Sequence, residues 1–279
     1  MVVQHNMQAM NANRTLGITT DSQKKVTEKL SSGYKVNRAA DDAAGLTISE
    51  KIRSQIKGLT QASSNAQDGI SCVQTAEGAL TEVHSMLQRM NELAVKAANG
   101  TNTSADRLAI QKEVSALSSE ISRVAQSTQF NTLNLLNGSF KDGKQLQVGT
   151  ANVDAQRITI KISAMNSTTL GVKAGNISDG IDLKTQTNAQ KSISKITMAI
   201  ARVSAQRSDL GAVQNRLEHT IANLDNVVEN TTAAESQIRD TDMAKTMVEY
   251  TKNNILAQAG TAMLAQANQS TQNVLSLLG

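Results

Sequence analysis

The chain has 279 residues and a formal net charge of +4, with no proline, no tryptophan and only four aromatics, Tyr34, Phe130, Phe140 and Tyr250. Its charges are interspersed rather than blocked, which argues against a nucleic-acid groove, and its one cysteine, Cys72, excludes an intramolecular disulfide framework. Apolar content drawn from Ala, Leu, Ile, Val and ten Met fits long helices packed side by side better than an aromatic-rich globular enzyme.

The opening "MVVQHNMQAM" has no basic segment followed by an apolar one, so it does not read as a secretory signal. Val3, Met7 and Met10, then Leu16 and Ile18, then Val26 and Leu30 form a helical apolar stripe. A stronger signal follows. Positions 52, 59, 66, 73, 80, 87 and 94 are Ile, Leu, Ala, Val, Leu, Leu and Ala, seven heptads without a break. A companion row at Ile56 and Ile70 drifts to Val83, Met90 and Ala97, as a 3.6-residue turn requires. A helix of roughly 50 residues spans about 75–80 Å, so this segment is a rod. Cys72 lies in its apolar stripe and reads as a small core residue.

"NGTNTSADR", residues 99–107, ends that helix and begins another: Asn99-Gly100 is turn chemistry, Thr103 or Ser104 can cap, and Asp106 suits the first turn. Ile110, Val114, Leu117, Ile121 and Val124 then predict a helix folding back antiparallel on the first. Between about 139 and 185 the pattern changes. "KQLQVG" and "QRITIKI" alternate either side of "TANVDA" and predict a β-hairpin, whereas "NSTTLGVKAGNISDGIDL" reads as loop. A third long helix is expected over roughly 186–235, carrying Ile193, Ile196, Ile200, Val203, Leu210, Val213, Leu217, Ile221, Leu224 and Val228, and the rest of the chain reads as helical too. The last stretch, 254–279, has no charged side chain, yet Ile255, Leu256, Met263, Leu264, Val274, Leu277 and Leu278 recur at helical spacing.

Two terminal amphipathic helices beside helices that bundle antiparallel can meet as a coiled coil, and the apolar surface left over argues for partner chains. An intramolecular bundle closing on its own core is the alternative. No apolar run reaches the length of a membrane span. Catalysis is not expected: His5, His84 and His219 fall on separate helices, and no H-E-x-x-H pair, phosphate loop or G-x-S-x-G elbow is present. No cofactor or metal site is expected.

The segments "LSSGYKVNRAADDAAGLTISEKIRSQIKGLTQASSNAQDGIS", "TAEGAL", "LQRMNELAVKAANGTNT", "QFNTLNLL" and "ILAQAGTAMLAQANQSTQNVLSLLG" resemble bacterial flagellins over the first 140 and about the last 95 residues. The resemblance implies a mainly α fold: a long antiparallel helical bundle with a small β-hairpin and paired N- and C-terminal helices. It divides the chain into residues 1–45 (N-terminal D0 helix and linker), 46–140 (N-terminal D1 helices), 141–185 (β-hairpin and short variable loop of D1), 186–238 (C-terminal D1 helix) and 239–279 (C-terminal D0 helix). "LSSG" and "DDAAGL" match the linking segment, and Asp41 and Asp42 read as part of it rather than as an acid/base pair. The implied function is a secreted, extracellular subunit, exported through the flagellar apparatus, that self-assembles into the flagellar filament for motility. Implied partners are further copies of the chain, an export chaperone and a filament cap. Assembly would use Val3, Met7, Met10, Ile255, Leu256, Met263, Leu264, Val274, Leu275, Leu277 and Leu278. The family's Toll-like receptor 5 contacts fall on Arg89, Leu93 and Glu113, with Lys96 and Leu117 departing from the common pattern. The terminal "VLSLL" matches what NAIP-class sensors read, although this chain ends in Gly279 where relatives carry Arg. A hook–filament junction protein and a non-polymerising helical binding module are the alternatives.

Overall fold

The computed structural model describes residues 6–175 and 180–278, with only the helical backbone given over 271–278. The chain separates into two compact units, one of Met1–Ile56 with Glu229–Gly279 and one of Lys57–Val228. The helices are α1 (Met7–Ser32), α2 (Ala43–Ala98), α3 (Ser104–Ser127), the single turn α4 (Ser167–Leu170), α5 (Gln186–Arg239) and α6 (Met243–Leu278). Short strands pair as β1 (Gln129–Phe130) with β2 (Leu133–Asn134), β3 (Lys144–Gln147) with β4 (Arg157–Ile160), and β5 (Lys173–Ala174) with β6 (Gly180–Ile181).

In the Lys57–Val228 unit the heptad rows of α2 become the core. Leu80, Leu87, Met90, Ala94 and Ala97 are fully buried and share one cluster with Val114 and Ile121 of α3 and with Ile196, Val203 and Leu210 of α5. Full burial of a Leu or Ile side chain contributes about 1.5–3 kcal/mol. Both neighbours of α2 run antiparallel to it. Arg89 pairs with Glu113 on α3, while Ser63 meets Asp225 and Glu77 meets Arg207 on α5.

The turn between α2 and α3 holds both helix ends. Thr103 caps α3: its hydroxyl accepts from the Asp106 N–H (3.3 Å), and the Asp106 carboxylate accepts from the Thr103 N–H (2.9 Å) and hydroxyl (2.7 Å). Arg107 donates to the Ala97 and Asn99 carbonyls at 2.9 and 3.0 Å and so satisfies the last turn of α2. The hydroxyl and N–H of Thr103 hold the Asp106 carboxyl below its usual pKa. A depressed carboxyl pKa contributes stability above the unfolded value, and that contribution is lost as pH falls through the folded one. Loss of the Thr103 N-cap in a Thr103→Ala chain is expected to cost about 1 kcal/mol at neutral pH. The difference from the parent should shrink near pH ~3, below the ordinary Asp pKa. Chemical denaturation at both pH values checks it.

The predicted hairpin is present. β3 and β4 pair antiparallel with Lys144 opposite Ile160 and Gln147 opposite Arg157, and Ile158 and Ile160 face inward. Val148 and Ile158 pack with Ala66 and Ile70 of α2 and Leu217 of α5. The segment expected as plain loop carries more structure than that: α4 and the β5–β6 pair fall within it. Leu170, Val172, Ile181 and Leu183 are buried in the main cluster, and buried helix side chains satisfy the irregular backbone around them. Gln111 accepts from the Leu183 N–H at 2.7 Å and Ser118 from the Ala174 N–H at 3.2 Å.

In the other unit α1 and α6 pair antiparallel. Asn6 Nδ2 donates to the Ala267 carbonyl at 2.9 Å and Asn253 Nδ2 to Ser22 Oγ at 3.2 Å. Between these points Gly260 lets the helices approach, since a Cβ there would lie 3.1 Å from Leu16 Cδ1. The third long helix, expected over roughly 186–235, is α5; it ends at Arg239, and helix resumes with α6 at Met243. Neither Gly nor Pro causes the break. Long-range backbone hydrogen bonds do, from Lys35 N–H to the Arg239 carbonyl (2.7 Å) and from Thr241 N–H to the Gly33 carbonyl (3.0 Å). Asp242 then caps α6 by accepting from the Lys245 N–H at 3.0 Å.

Candidate assembly and receptor-contact surfaces

The first surface is the α1–α6 pair. Val26 is buried and Leu16 packs against Gly260, but many of the pair's other large apolar side chains point outward. Met7 (69% exposed), Met10, Ile18, Ile255 (60%), Leu256 and Met263 (62%) are all exposed, and Leu264 is half-buried. A groove between the helices is lined by Ala12 and Thr15 of α1 and by Leu256, Ala259, Gly260 and Met263 of α6. Of the other residues predicted to drive assembly, Val3 lies outside the described residues. So do the side chains of Val274, Leu275, Leu277 and Leu278, whose backbone is helical.

The link between α1 and α2 is built around Gly33, whose φ of 75° closes α1 in the left-handed conformation that favours glycine. Asp41 accepts from the backbone N–H groups of Arg38 (3.0 Å) and Asn37 (3.3 Å), and these, Arg38 first, hold its carboxyl below the ordinary range. Asp42 caps α2 through the Gly45 N–H at 2.9 Å. Both carboxylates thus organise backbone, consistent with a link and not with an acid/base pair. The Arg239 guanidinium stacks 4.5 Å from the centroid of the Tyr34 ring and reaches Glu50 at 3.3 Å, while Arg53 pairs with Glu235 at 3.2 Å. Sequence patterning does not single out these cross-helix pairs, because Arg53 and Glu235 lie 182 positions apart and Arg239 and Glu50 lie 189 apart.

The second surface belongs to the other unit. Arg89 of α2 donates from Nε (3.0 Å) and Nη2 (2.9 Å) to one oxygen of Glu113 on α3, and from Nη1 to Glu92 at 3.1 Å. These hydrogen bonds, that to Glu113 foremost, raise the pKa of the guanidinium. Arg89 and Glu113 stand in solvent at 53% and 46% side-chain exposure, so water and salt screen the pair and it adds little to stability. Leu93 differs. It is 3% exposed and packs in the main core beneath them.

Two family models match the chain, the bacterial flagellin N-terminal helical region over residues 3–141 and the bacterial flagellin C-terminal helical region over residues 193–278. A flagellin of Halalkalibacterium halodurans is 53% identical over 278 residues, covering 100% of both chains. Flagellin FlaB1 of Treponema pallidum is 50% identical over 286 residues, again covering 100% of each. The chain belongs to the flagellin family. A solved structure of a putative flagellar hook-associated protein from Vibrio parahaemolyticus shares the fold alone, with a TM-score of 0.60 at 16% identity over 72% of this chain and 100% of that one.

As a flagellin the chain is a self-assembling structural protein of the flagellar filament, not an enzyme. His84 lies on α2 and His219 on α5, and His5 is outside the described residues. Among the described residues no group of three His, Cys, Asp or Glu side chains is arranged to hold a metal ion, and no helix is long and apolar enough to cross a membrane.

Proposed function

We propose that the chain polymerises through the exposed apolar faces of α1 and α6 to form the propeller of a motile bacterium. The observation that carries this reading is the set of large apolar side chains, Met7, Met10, Ile255, Leu256 and Met263, left in solvent on a helix pair already formed within the chain. Patches of that kind on an isolated chain mark protein contacts. A heterologous, non-closing contact between copies generates an open filament. Half-buried Leu264 belongs to the same surface, and Val3, Val274, Leu275, Leu277 and Leu278 are assigned to assembly on the sequence match alone. Residues 1–45 and 239–279 then correspond to the inner D0 domain, and residues 46–140, 141–185 and 186–238 to D1. Export as a monomer through the flagellar apparatus, an export chaperone and a filament cap complete the proposal. Negative-stain electron microscopy of the full chain with sheared filament seeds tests it. Filaments are expected, and dispersed monomers at high concentration would return weight to a closed helical module or a junction protein.

Toll-like receptor 5 recognition is proposed through Arg89 and Glu113, with Leu93 acting from below by fixing the helix surface that carries them. An exposed arginine flanked by apolar packing is a frequent hot spot. Arg89→Ala is expected to shift the receptor dose–response by at least about tenfold while leaving helicity unchanged. An unchanged dose–response would reject the assignment. Sensing of the terminal "VLSLL" by NAIP-class proteins is proposed on the sequence match alone.

A further inference from the structure

Met7, Met10 and Met263 are 69%, 62% and 62% exposed, at a single end of the α1–α6 pair. Their placement follows from the groove, where Met263 sits beside Gln8, Asn11 and Ala12, and from the hydrogen bond that ties Asn6 to Ala267. Met243 and Met247, 49% and 50% exposed, stand toward the opposite end, next to the Gly33–Thr241 hydrogen bond. The remaining described methionines divide sharply. Met90 and Met165 are 0% and 4% exposed and Met86 is partly buried, leaving Met198 of α5 as the exposed one outside this pair.

We propose that Met7, Met10 and Met263 are oxidation sites, and that their conversion to sulfoxide by a peroxide blocks assembly of the free chain. The inference rests on the α1–α6 face being the assembly surface. The sulfur lone pair attacks one oxygen of hydrogen peroxide and the O–O bond breaks. The sulfur gains an oxygen and loses two electrons, and the peroxide is reduced to water. A flexible apolar side chain becomes polar, and packing it between helices leaves an S=O acceptor without a donor. Reactivity follows exposure, so the free chain is susceptible, whereas copies already packed in a filament shield the same sulfurs. The change is reversible by methionine sulfoxide reductases, so it acts as a redox gate on addition of new subunits and leaves finished filament intact.

The test treats the purified full chain with hydrogen peroxide, quenches with catalase, maps sulfoxides by peptide mass spectrometry and then seeds polymerisation. Met7, Met10 and Met263 are expected to oxidise at least about tenfold faster than Met90 and Met165, and the critical concentration for growth to rise at least about tenfold. A Met7→Leu, Met10→Leu, Met263→Leu chain, compared with its own untreated critical concentration, should show no rise after the same treatment. A Met198→Leu chain should show the rise. Cys72 is 7% exposed, and burial raises its thiol pKa, so Cys72→Ala is expected to change nothing. Equal oxidation of buried and exposed methionines, or equal loss of assembly in the triple variant, overturns the proposal. Filaments from untreated and oxidised chain alike overturn it while leaving the assembly reading standing, and no filaments even from untreated chain overturn both.

Discussion

An Ile255→Asp, Met263→Asp chain is expected to fold normally and form no filaments. Both side chains are about three-fifths exposed in the isolated chain, at 60% and 62%, and substitutions at such positions usually change folding by no more than about 0.5 kcal/mol. Assembly is a different matter. A carboxylate carried into an apolar contact without a partner costs several kcal/mol, and each ~1.4 kcal/mol is a factor of ten in affinity. Two such charges per subunit should raise the critical concentration by at least about a thousandfold. Leu264→Asp, at a half-buried position, is expected to act in the same direction with some loss within the α1–α6 pair as well. Sedimentation and electron microscopy read assembly, and far-UV circular dichroism reads folding. Ordinary filaments from the double variant would remove this face from the contact.

The second large effect is in the core. Leu80 is 0% exposed where α2 meets the main cluster, so Leu80→Ala removes buried methyl groups and leaves a cavity in a closely packed seam. The expected loss is about 2–5 kcal/mol, read as a lower denaturant midpoint at unchanged slope. Leu108→Ala on α3 is the contrast, since Leu108 is 49% exposed and its truncation should fall within about 0.5 kcal/mol. Similar losses from both would contradict the burial pattern on which the bundle rests.

The seven heptad positions from Ile52 to Ala94 were legible because burial follows the helix period. From Leu59 onward they lie in the core, with Leu59 at 8% exposure and Ala66, Val73, Leu80, Leu87 and Ala94 at 0%, and Ile52 is half-buried. The start of α3, with its cap narrowed to Thr103 or Ser104, and the β3–β4 hairpin were equally readable, being local in origin, and the structure chose Thr103. At the termini the same reasoning found amphipathic helices but not what joins them. Helix period says which side chains are apolar, not whether an apolar side chain meets its own chain or solvent. Met7, Met10, Ile255 and Met263 carry the pattern and point outward, while Asn6, Asn253 and Gly260 make the pairing contacts. Leu93 shows the reverse: matched to a receptor-contact pattern, it is packed under Arg89.

The sequence alone determined the long helices of the Lys57–Val228 unit, their antiparallel order and the β3–β4 hairpin, because each depends on periodicity and turn chemistry within a few residues. Only the tertiary structure showed what interrupts the helix after Arg239, since the Gly33, Lys35, Arg239 and Thr241 backbone groups that bond there come from opposite ends of the chain. It alone placed Arg239 between Tyr34 and Glu50. It also anchored the segment around α4 and β5 through Gln111 and Ser118 of α3. In each case a buried or interrupted backbone needs hydrogen-bond partners, and nothing local in the sequence says which distant residue will supply them.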